Sequence, residues 1–296
     1  MQFELGQLQA LRAAVDTGSL DAAARQLHVT PSAISQRLKT LEATVGRRLL
    51  VRARPVEATE DGERVLRLAR QIDLLQADVE RELTNAPGAE PIRLSIAANA
   101  DSLDTWLLPA LAAAGGKLVL DVHREDEGRT AALLHAGTVV AAVTAAAGVV
   151  AGCSTTPLGT MRYRPAATPD YVAHWFANGL TADALSVAPV VHFDRNDNLQ
   201  RGWLRDRLDK RPMPPGHQIP TTGAFELAVR SGLGWGMLSE YQLASDRTPD
   251  IVTLDDSAAE VALFWQRWKL ATPALDHLTR LVTHAAQLAL DPPNTS

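Results

Sequence analysis

Cysteine and long apolar runs are nearly absent from this 296-residue chain. The single cysteine, Cys153, excludes an intrachain disulfide and a thiolate metal cluster. A membrane-spanning helix needs about eighteen uninterrupted apolar residues, and the apolar segment 141–150 is far shorter. The N-terminal MQFELGQLQALRAAV lacks a basic region followed by an apolar run, so it does not resemble a secretory signal. These absences favour a cytoplasmic protein with no membrane partner.

An excess of positive charge is also missing from the chain as a whole, whose formal net charge is −5. The charge is unevenly distributed, however. Residues 30–54 contain six basic side chains and one acidic one, a local charge of +5 that leaves −10 for the rest. Charges are screened over about 8 Å at physiological salt, so a distant acidic domain does not prevent a basic segment from binding DNA.

The first sixty residues show the pattern of three short helices. Apolar residues recur at three- and four-residue spacings in residues 5–15, which predicts an amphipathic helix ended by Gly18. Ser19 is expected to cap a second helix. Thr30 is a good N-cap for a third, with Pro31 at the first helical position, where a missing N–H costs nothing. Three short helices with tight turns indicate a helix-turn-helix domain.

The third helix is expected to end near Gly46 and to be followed by a β-wing. Its predicted buried positions are Ala33, Ile34, Leu38 and Leu41. Residues 48–52 and 56–59 are two short extended pieces separated by a turn at Pro55. Residues 1–58 are therefore predicted to form a winged helix-turn-helix domain.

A long helix is predicted over residues 59–86, followed by a Pro- and Gly-containing hinge at residues 87–91. Thr59 is its N-cap, and apolar side chains follow with the a/d spacing of a coiled coil. These are Val65, Leu68, Ile72, Leu75 and Val79. The pattern predicts that the helix pairs with its copy in a dimer. The alternative is an amphipathic helix packed on its own domain.

Beyond the hinge, strands and helices alternate, which predicts a parallel α/β sheet. The predicted strands are residues 92–97, 117–123, 139–144, 187–193, 236–238 and 261–268. The predicted helices are residues 101–113, 128–135, 198–208, 224–231 and 275–290. We expect two lobes, made of residues 92–164 with 266–290 and of residues 165–265. Crossing strands near 161–168 and 264–270 would leave a ligand cleft between the lobes.

Three segments of the sequence resemble those of the LysR-type transcriptional regulators. GSLDAAARQLHVTPSAISQRLKTLE is similar to the winged helix-turn-helix of that family. NADSLDTWLLPAL at residues 99–111 and FDRNDN at residues 193–198 resemble the branch that senses basic amino acids and regulates lysine and arginine export. The resemblance implies an α+β multidomain fold with an N-terminal winged helix-turn-helix, a long linker helix and a two-lobed, periplasmic-binding-protein-like effector domain.

The resemblance also implies partners. A homodimer or dimer of dimers would bind pseudo-palindromic operator DNA and contact RNA polymerase. A small molecule, lysine or arginine, would bind between the lobes and change transcription of an amino-acid exporter gene. No cofactor is implied.

Polar side chains on the third helix are candidates for reading DNA. Residues 32, 35, 36 and 39 share one helix face, and Gln36 suits adenine while Lys39 suits guanine or phosphate. Residues 30 and 37 and the wing are placed to reach the backbone. The alternative for such a stripe is an ordinary solvated face. The candidates for DNA binding are Thr30, Ser32, Ser35, Gln36, Arg37, Lys39, Arg52 and Arg54.

Acidic side chains from both lobes are candidates for an effector cleft. A basic amino acid carries a distal cation besides its α-ammonium and carboxylate, so its pocket needs negative charge. The free amides of a helix N-terminus suit the carboxylate. The alternative for Asp101 and Asp104 is helix capping and a favourable dipole interaction. The candidates for effector binding are Asn99, Ala100, Asp101, Ser102, Asp104, Trp106, Thr144, Asp194, Asp197, Thr222, Phe225 and Glu226.

Enzymatic and metal-site patterns are lacking. The sequence shows no nucleophile–base constellation, no G-x-S-x-G elbow and no metal-ligand spacing among its eight histidines. We expect a non-enzymatic regulator without a metal. Rival interpretations are a regulator with another effector, a solute-binding protein, which the first sixty residues oppose, and a ligand-insensitive DNA-binding protein.

Overall fold

The computed structural model describes most of the chain. The described residues are 1–51, 53–84, 91–125, 127–195, 197–208, 211–244 and 250–292. The predictions for Arg52 and for hinge residues 87–90 lie outside these ranges.

The N-terminal domain is a helical core with a two-stranded wing. Its elements are α1 (Leu5–Thr17), α2 (Leu20–Gln26), α3 (Pro31–Val45), β1 (Leu50–Val51) and β2 (Glu57–Ala58). Ser19 and Thr30 cap α2 and α3 as predicted, since their side chains accept hydrogen bonds from Ala22 N and Ala33 N. Leu11, Ile34 and Leu41 are fully buried between the helices. The sequence-predicted winged helix-turn-helix is therefore confirmed.

The long helix α4 (Glu60–Thr84) leaves this domain and reaches the second one. Thr59 Oγ1 accepts a hydrogen bond from Gly62 N at 3.0 Å, which is the predicted cap. The first half of α4 contributes Val65, Leu66 and Ala69 to the N-terminal core. Further along, Leu74 belongs to the core of the C-terminal domain. The helix is thus packed on its own chain along its first half and at Leu74 near its middle.

The C-terminal domain has two lobes. The first part of lobe I contains β3 (Ile92–Ala98), α5 (Ala100–Ser102), a π-helical turn (Leu103–Leu107), α6 (Leu108–Ala112), a 3₁₀ turn (Gly115–Lys117), β4 (Leu118–Arg124), α7 (Glu127–Ala136) and β5 (Ala141–Thr144). The long strand β6 (Cys153–Ala167) then crosses to lobe II. Lobe II contains α8 (Pro169–Trp175), α9 (Ala182–Val187), β7 (Val190–His192), α10 (Leu199–Leu208), β8 (Gly216–Gln218), α11 (Thr222–Arg230), β9 (Gly236–Ser239), α12 (Glu240–Leu243) and β10 (Val252–Thr253). Strand β11 (Ala259–Trp268) returns to lobe I, where α13 (Pro273–Ala289) completes the fold.

The main sheet is mixed, whereas the sequence pattern predicted a parallel one. Strand β3 pairs in parallel with β4 and β5. Strand β11 pairs antiparallel with β5 and with β6, and β6 pairs antiparallel with β9 and β10. The antiparallel pairs arise because β6 and β11 cross between the lobes in opposite directions. Their crossing places the end of β3, where α5 begins, beside the lobe II helix α11.

Candidate functional site

The DNA-reading candidates occupy the exposed side of α3. Ser32, Gln36 and Lys39 are exposed, and Ser35 is half-buried on the same face. Thr30 has a structural role as well, because its hydroxyl caps the helix and lies 2.9 Å from Ser32 Oγ. The face is thus rigidly held by a capped helix and presents neutral donors and acceptors with one cation.

Cations surround this face. Arg37 is half-buried, with its guanidinium against Gly6 of α1. Arg54 is exposed in the wing. One of the six basic residues is locally neutralised, since Arg47 Nη1 lies 3.0 Å from Asp61 Oδ2. The geometry agrees with a polar helix face flanked by phosphate-binding cations, and the individual DNA contacts stay predictions.

Asp101 is the centre of the second candidate site. It follows β3 in the first turn of α5, whose N-cap position is held by Asn99. Tyr163 Oη donates to Asp101 Oδ2 at 2.7 Å, and Thr222 Oγ1 donates to Asp101 Oδ1 at 3.3 Å. Tyr163 belongs to the crossing strand β6 and Thr222 begins α11 of lobe II. The carboxylate therefore joins both lobes and does not cap the helix.

The charge on Asp101 is poorly compensated. Burial raises the pKa of its carboxyl, partly offset by the hydrogen bonds from Tyr163 and Thr222. Its charged neighbours, Asp197 and Asp104, are carboxylates and raise the pKa further. Among the described residues no cation contributes to this balance. The carboxyl of Asp101 therefore lies among other acidic groups at the junction of the lobes.

Two other candidates on this turn carry buried polar atoms without hydrogen-bond partners. Asn99 Oδ1 and Ser102 Oγ are both in this state. Buried polar groups are normally paired, so unpaired ones at a cleft mark places where a ligand or water completes the network. The helix next adopts the π-helical turn at residues 103–107, and Pro109, which has no N–H to donate, follows it. Such π turns are frequent at functional sites.

The lobe II acids Asp194 and Asp197 shape a loop before α10. Asp194 Oδ1 accepts a hydrogen bond from Asp197 N at 2.9 Å. Asp197 accepts from Phe193 N at 2.9 Å and from Leu199 N at 3.0 Å. Asp197 also lies near His192, whose pKa is lowered mainly by burial. These carboxylates organise the loop, and Asp197 brings negative charge toward Asp101.

Four other predicted effector residues are built into the protein interior. Trp106 and Phe225 are only 3% and 5% exposed and lie in the cores of lobe I and lobe II. Thr144 is buried, and its hydroxyl accepts from Ala146 N at 3.1 Å. Glu226 is 5% exposed and pairs with Arg230 at 2.8 Å within α11. Asp104 is exposed beside Asp101, and Ala100 lies on the same first turn.

Sequence reasoning missed two residues at the junction of the lobes. The local sequence does not identify Tyr163 as a site residue, because a tyrosine in a strand is most simply interpreted as a core residue. Arg124 ends β4, and its Nη1 donates to Pro220 O at 3.3 Å just before α11. Both contacts depend on the crossing of the strands and could not be found from spacing.

The described residues contain neither a membrane-spanning helix nor a metal site. No helix there is long and apolar enough to cross a bilayer. No group of three or more His, Cys, Asp or Glu side chains in the described ranges is arranged to hold a metal ion.

Comparison with known proteins identifies both domains. Residues 5–63 match the model of bacterial regulatory helix-turn-helix proteins of the lysR family, and residues 88–287 match the LysR substrate binding domain. The lysine export transcriptional regulatory protein LysG of Corynebacterium glutamicum is 39% identical over 97% of this chain and 99% of its own length.

Solved structures agree along the full length. The crystal structure of ArgP from Mycobacterium tuberculosis aligns with a TM-score of 0.91 and 40% identity, covering 99% of this chain and 100% of that one. Full-length LysG from Corynebacterium glutamicum with bound effector Arg aligns with a TM-score of 0.84 and 38% identity over 98% of this chain and 100% of that one. Another structure of full-length LysG from that organism aligns over the same shares of both chains with a TM-score of 0.62 and 36% identity. The chain therefore belongs to the LysR family of bacterial regulatory helix-turn-helix proteins.

Proposed function

We propose that this regulator binds operator DNA and responds to a basic amino acid, lysine or arginine, held between the lobes of its C-terminal domain. The observation that carries the proposal is Asp101, a half-buried carboxylate that joins the lobes. Among the described residues, the charged groups that act on it are other carboxylates. A ligand ammonium or guanidinium would supply the missing positive charge. The relative with bound effector Arg supports this choice of ligand class.

The ligand would also strengthen lobe closure. Asp101 accepts from Thr222 across the cleft, and Arg124 donates to Pro220 O beside it. A cation at Asp101 would favour the state in which both lobes contribute groups. A ligand shifts a conformational equilibrium only through such a difference in affinity between states.

The proposed target is an amino-acid exporter gene. The Corynebacterium relative is named for lysine export, and we extend that role to this protein. RNA polymerase in the cytoplasm would be the partner that reads out the DNA complex. The protein would act without enzymatic activity.

The proposed assembly is a homodimer or dimer of dimers formed through α4. Leu75, Val79 and Leu83 are 41%, 53% and 80% exposed and lie four residues apart on one stripe. Two members of the predicted seam, Val65 and Ile72, pack in the N-terminal core. The exposed members, Leu75 and Val79, support pairing with a second copy.

A thermal-shift screen with the twenty amino acids tests the ligand, because a molecule that binds only the folded state raises the melting temperature. We expect arginine and lysine to raise it. The uncharged analogues citrulline and norleucine, tested beside the twenty, should be ineffective because they lack the distal charge. Calorimetry then measures affinity. Stabilisation by neutral amino acids alone would refute an acidic pocket for a cationic ligand. An unchanged melting temperature with every amino acid would favour another effector or a ligand-insensitive regulator.

A further inference from the structure

Helix α4 is shared by two hydrophobic cores. Val65, Leu66 and Ala69 pack in the N-terminal domain, and Leu74 packs in lobe I. The 25 residues of the helix span roughly 37 Å at about 1.5 Å per residue. Because one continuous helix enters both cores, the way lobe I holds it sets the orientation of the N-terminal domain.

Arg70 lies where the helix passes from one domain to the other. Its Nη2 donates to Asp16 Oδ1 of α1 at 2.6 Å, and its Nη1 donates to Ala136 O at 3.5 Å. Ala136 is the last residue of α7, and a cation at a helix C-terminus is favoured by the helix dipole. Nearby, Arg12 Nε of α1 lies 3.0 Å from Asp73 Oδ2 of α4. Arg70 is thus one side chain that contacts both domains.

Arg67 is seated on lobe I one turn earlier. Its Nη1 donates to Ala151 O at 3.0 Å. Its backbone rests against Gly137, where an added Cβ would come within 2.9 Å of Arg67 Cα. Gly137 has φ +76°, a conformation that favours glycine, so this position allows both the turn and the close approach. Lobe I therefore has a shaped seat for this part of the helix.

The contact between α4 and lobe I is not a continuous core. A cavity of about 970 Å³ lies beside it, and its lining includes Asp73 and Arg81 of the helix and Asp121 and His123 of β4. Beyond Leu74, the helix buries the polar side chain of Asp78 close to Thr272. A small number of polar contacts beside a cavity can separate and re-form more easily than a packed apolar interface can. Two structures of the Corynebacterium relative align with this chain at different TM-scores, 0.84 and 0.62.

We propose that Arg67 and Arg70 are positioning residues for DNA binding: they dock the linker helix on the carbonyls of Ala151 and Ala136 and thereby couple the state of lobe I to the orientation of the N-terminal domain. The effect of the effector on operator affinity passes through these two guanidinium groups. For its ligand, this inference rests on the proposed function.

The test measures coupling, defined as the ratio of operator Kd values without and with saturating arginine. We expect a ratio away from one in the wild type and in the control Arg129→Ala, since Arg129 is exposed on α7 and pairs only with Glu125 among the contacts described. In Arg67→Ala and Arg70→Ala we expect the ratio to fall within about twofold of one. Arginine affinity without DNA should stay within about threefold of wild type in both variants, because neither residue touches the cleft.

The conservative variant separates docking from general damage to the fold. Arg67→Lys still offers a charged donor to the Ala151 carbonyl and should restore part of the coupling. Arg67 forms no ion pair with any of the described residues, so the test can be made with Arg67→Ala even if Arg70→Ala does not fold. Coupling that persists in both alanine variants, or that Arg67→Lys leaves as weak as Arg67→Ala does, would overturn the proposal.

A ligand-free measurement distinguishes failure of this inference from failure of the proposed function. If wild-type protein neither binds arginine nor changes its operator affinity, the proposed ligand is wrong. Docking is then judged by hydrogen exchange of α4 amides around residues 67–75. We expect exchange about tenfold faster in Arg67→Ala than in Arg129→Ala. Equal rates would overturn the docking role whatever the ligand.

Discussion

Replacing Asp101 with asparagine should stabilise the ligand-free protein while destroying its ligand site. Burial among other carboxylates raises the pKa of Asp101, so folding disfavours its charged form despite the hydrogen bonds from Tyr163 and Thr222. Asparagine keeps an acceptor for Tyr163 and removes the charge. We expect the free energy of unfolding at pH 7.5 to rise by about 1 kcal/mol, the scale of an uncompensated buried polar group less its weakened hydrogen bonds. That corresponds to a melting temperature about 2–4 °C higher for a domain of this size.

The pH dependence of Asp101→Asn has a defined sign. An acid whose pKa is raised by folding binds more protons in the native than in the unfolded state, so its contribution to stability falls as the pH rises between the two pKa values. The unfolded value is about 3.9. The stability advantage of Asp101→Asn should be small near pH 4, grow with pH, and level off above the pKa of folded Asp101. Denaturant unfolding of both proteins across this range measures the difference.

Arginine binding should change in the opposite direction. Removing one partner of a buried charge pair costs about 2–5 kcal/mol, which is about 30-fold or more in Kd. The matched control is Asp104→Asn, because Asp104 is an exposed carboxylate three residues away, and it should cost less than about 1 kcal/mol. Calorimetry on both variants supplies the comparison. An unchanged arginine affinity in Asp101→Asn, or an Asp101→Asn protein less stable than wild type at every pH, would refute the reasoning.

Three further predictions concern other parts of the molecule. Gln36→Ala should weaken operator binding by about 1–3 kcal/mol and random-DNA binding much less. Arg54→Ala should weaken binding to both DNAs and lower the slope of log K against log salt concentration by about one. Equal losses for both DNAs in Gln36→Ala would exclude base reading by Gln36. Val79→Glu places a charge at a position whose side chain is 53% exposed in the single chain, so sedimentation equilibrium should show weaker self-association. Unchanged self-association would exclude this stripe of α4 as the interface between copies. Glu226→Gln removes the 2.8 Å ion pair with Arg230 inside α11. Breaking a buried ion pair costs about 3–5 kcal/mol, so thermal unfolding should show that loss of stability, with arginine affinity retained. Lost arginine affinity at normal stability would instead place Glu226 in the pocket.

The N-terminal domain could be predicted from sequence because its signals are local. Ser19 and Thr30 lie one residue before their helices, and each side chain caps a backbone N–H three residues away. Gly18 and Gly46 follow α1 and α3, and both have positive φ. Such signals depend on neighbours within one turn of helix and are fully present in the sequence.

The cleft could be predicted only in part, because its geometry comes from the crossing of β6 and β11. Asp101 was identified from charge and helix position, but its main partner Tyr163 is 62 residues away along the chain. In the sequence, Glu226 and Asp197 are both candidates for binding a cation. In the structure, Glu226 forms an ion pair with Arg230, and Asp197 accepts hydrogen bonds from backbone amides of its loop. Tertiary contacts thus decide which carboxylates remain free to meet a cation.

The linker helix shows why a heptad pattern does not identify what covers an apolar face. Val65 and Val79 hold equivalent positions in the repeat, yet Val65 is 8% exposed in the N-terminal core and Val79 is 53% exposed. Lobe I packs against the side of α4 that carries Arg67 and Leu74. Val79 and Leu83 lie on a neighbouring part of the helix surface. Docking on lobe I and pairing with a second copy therefore use different side chains of α4. A dimer formed through the exposed stripe would leave Arg67 free to dock and release, so assembly and coupling need not compete for the helix.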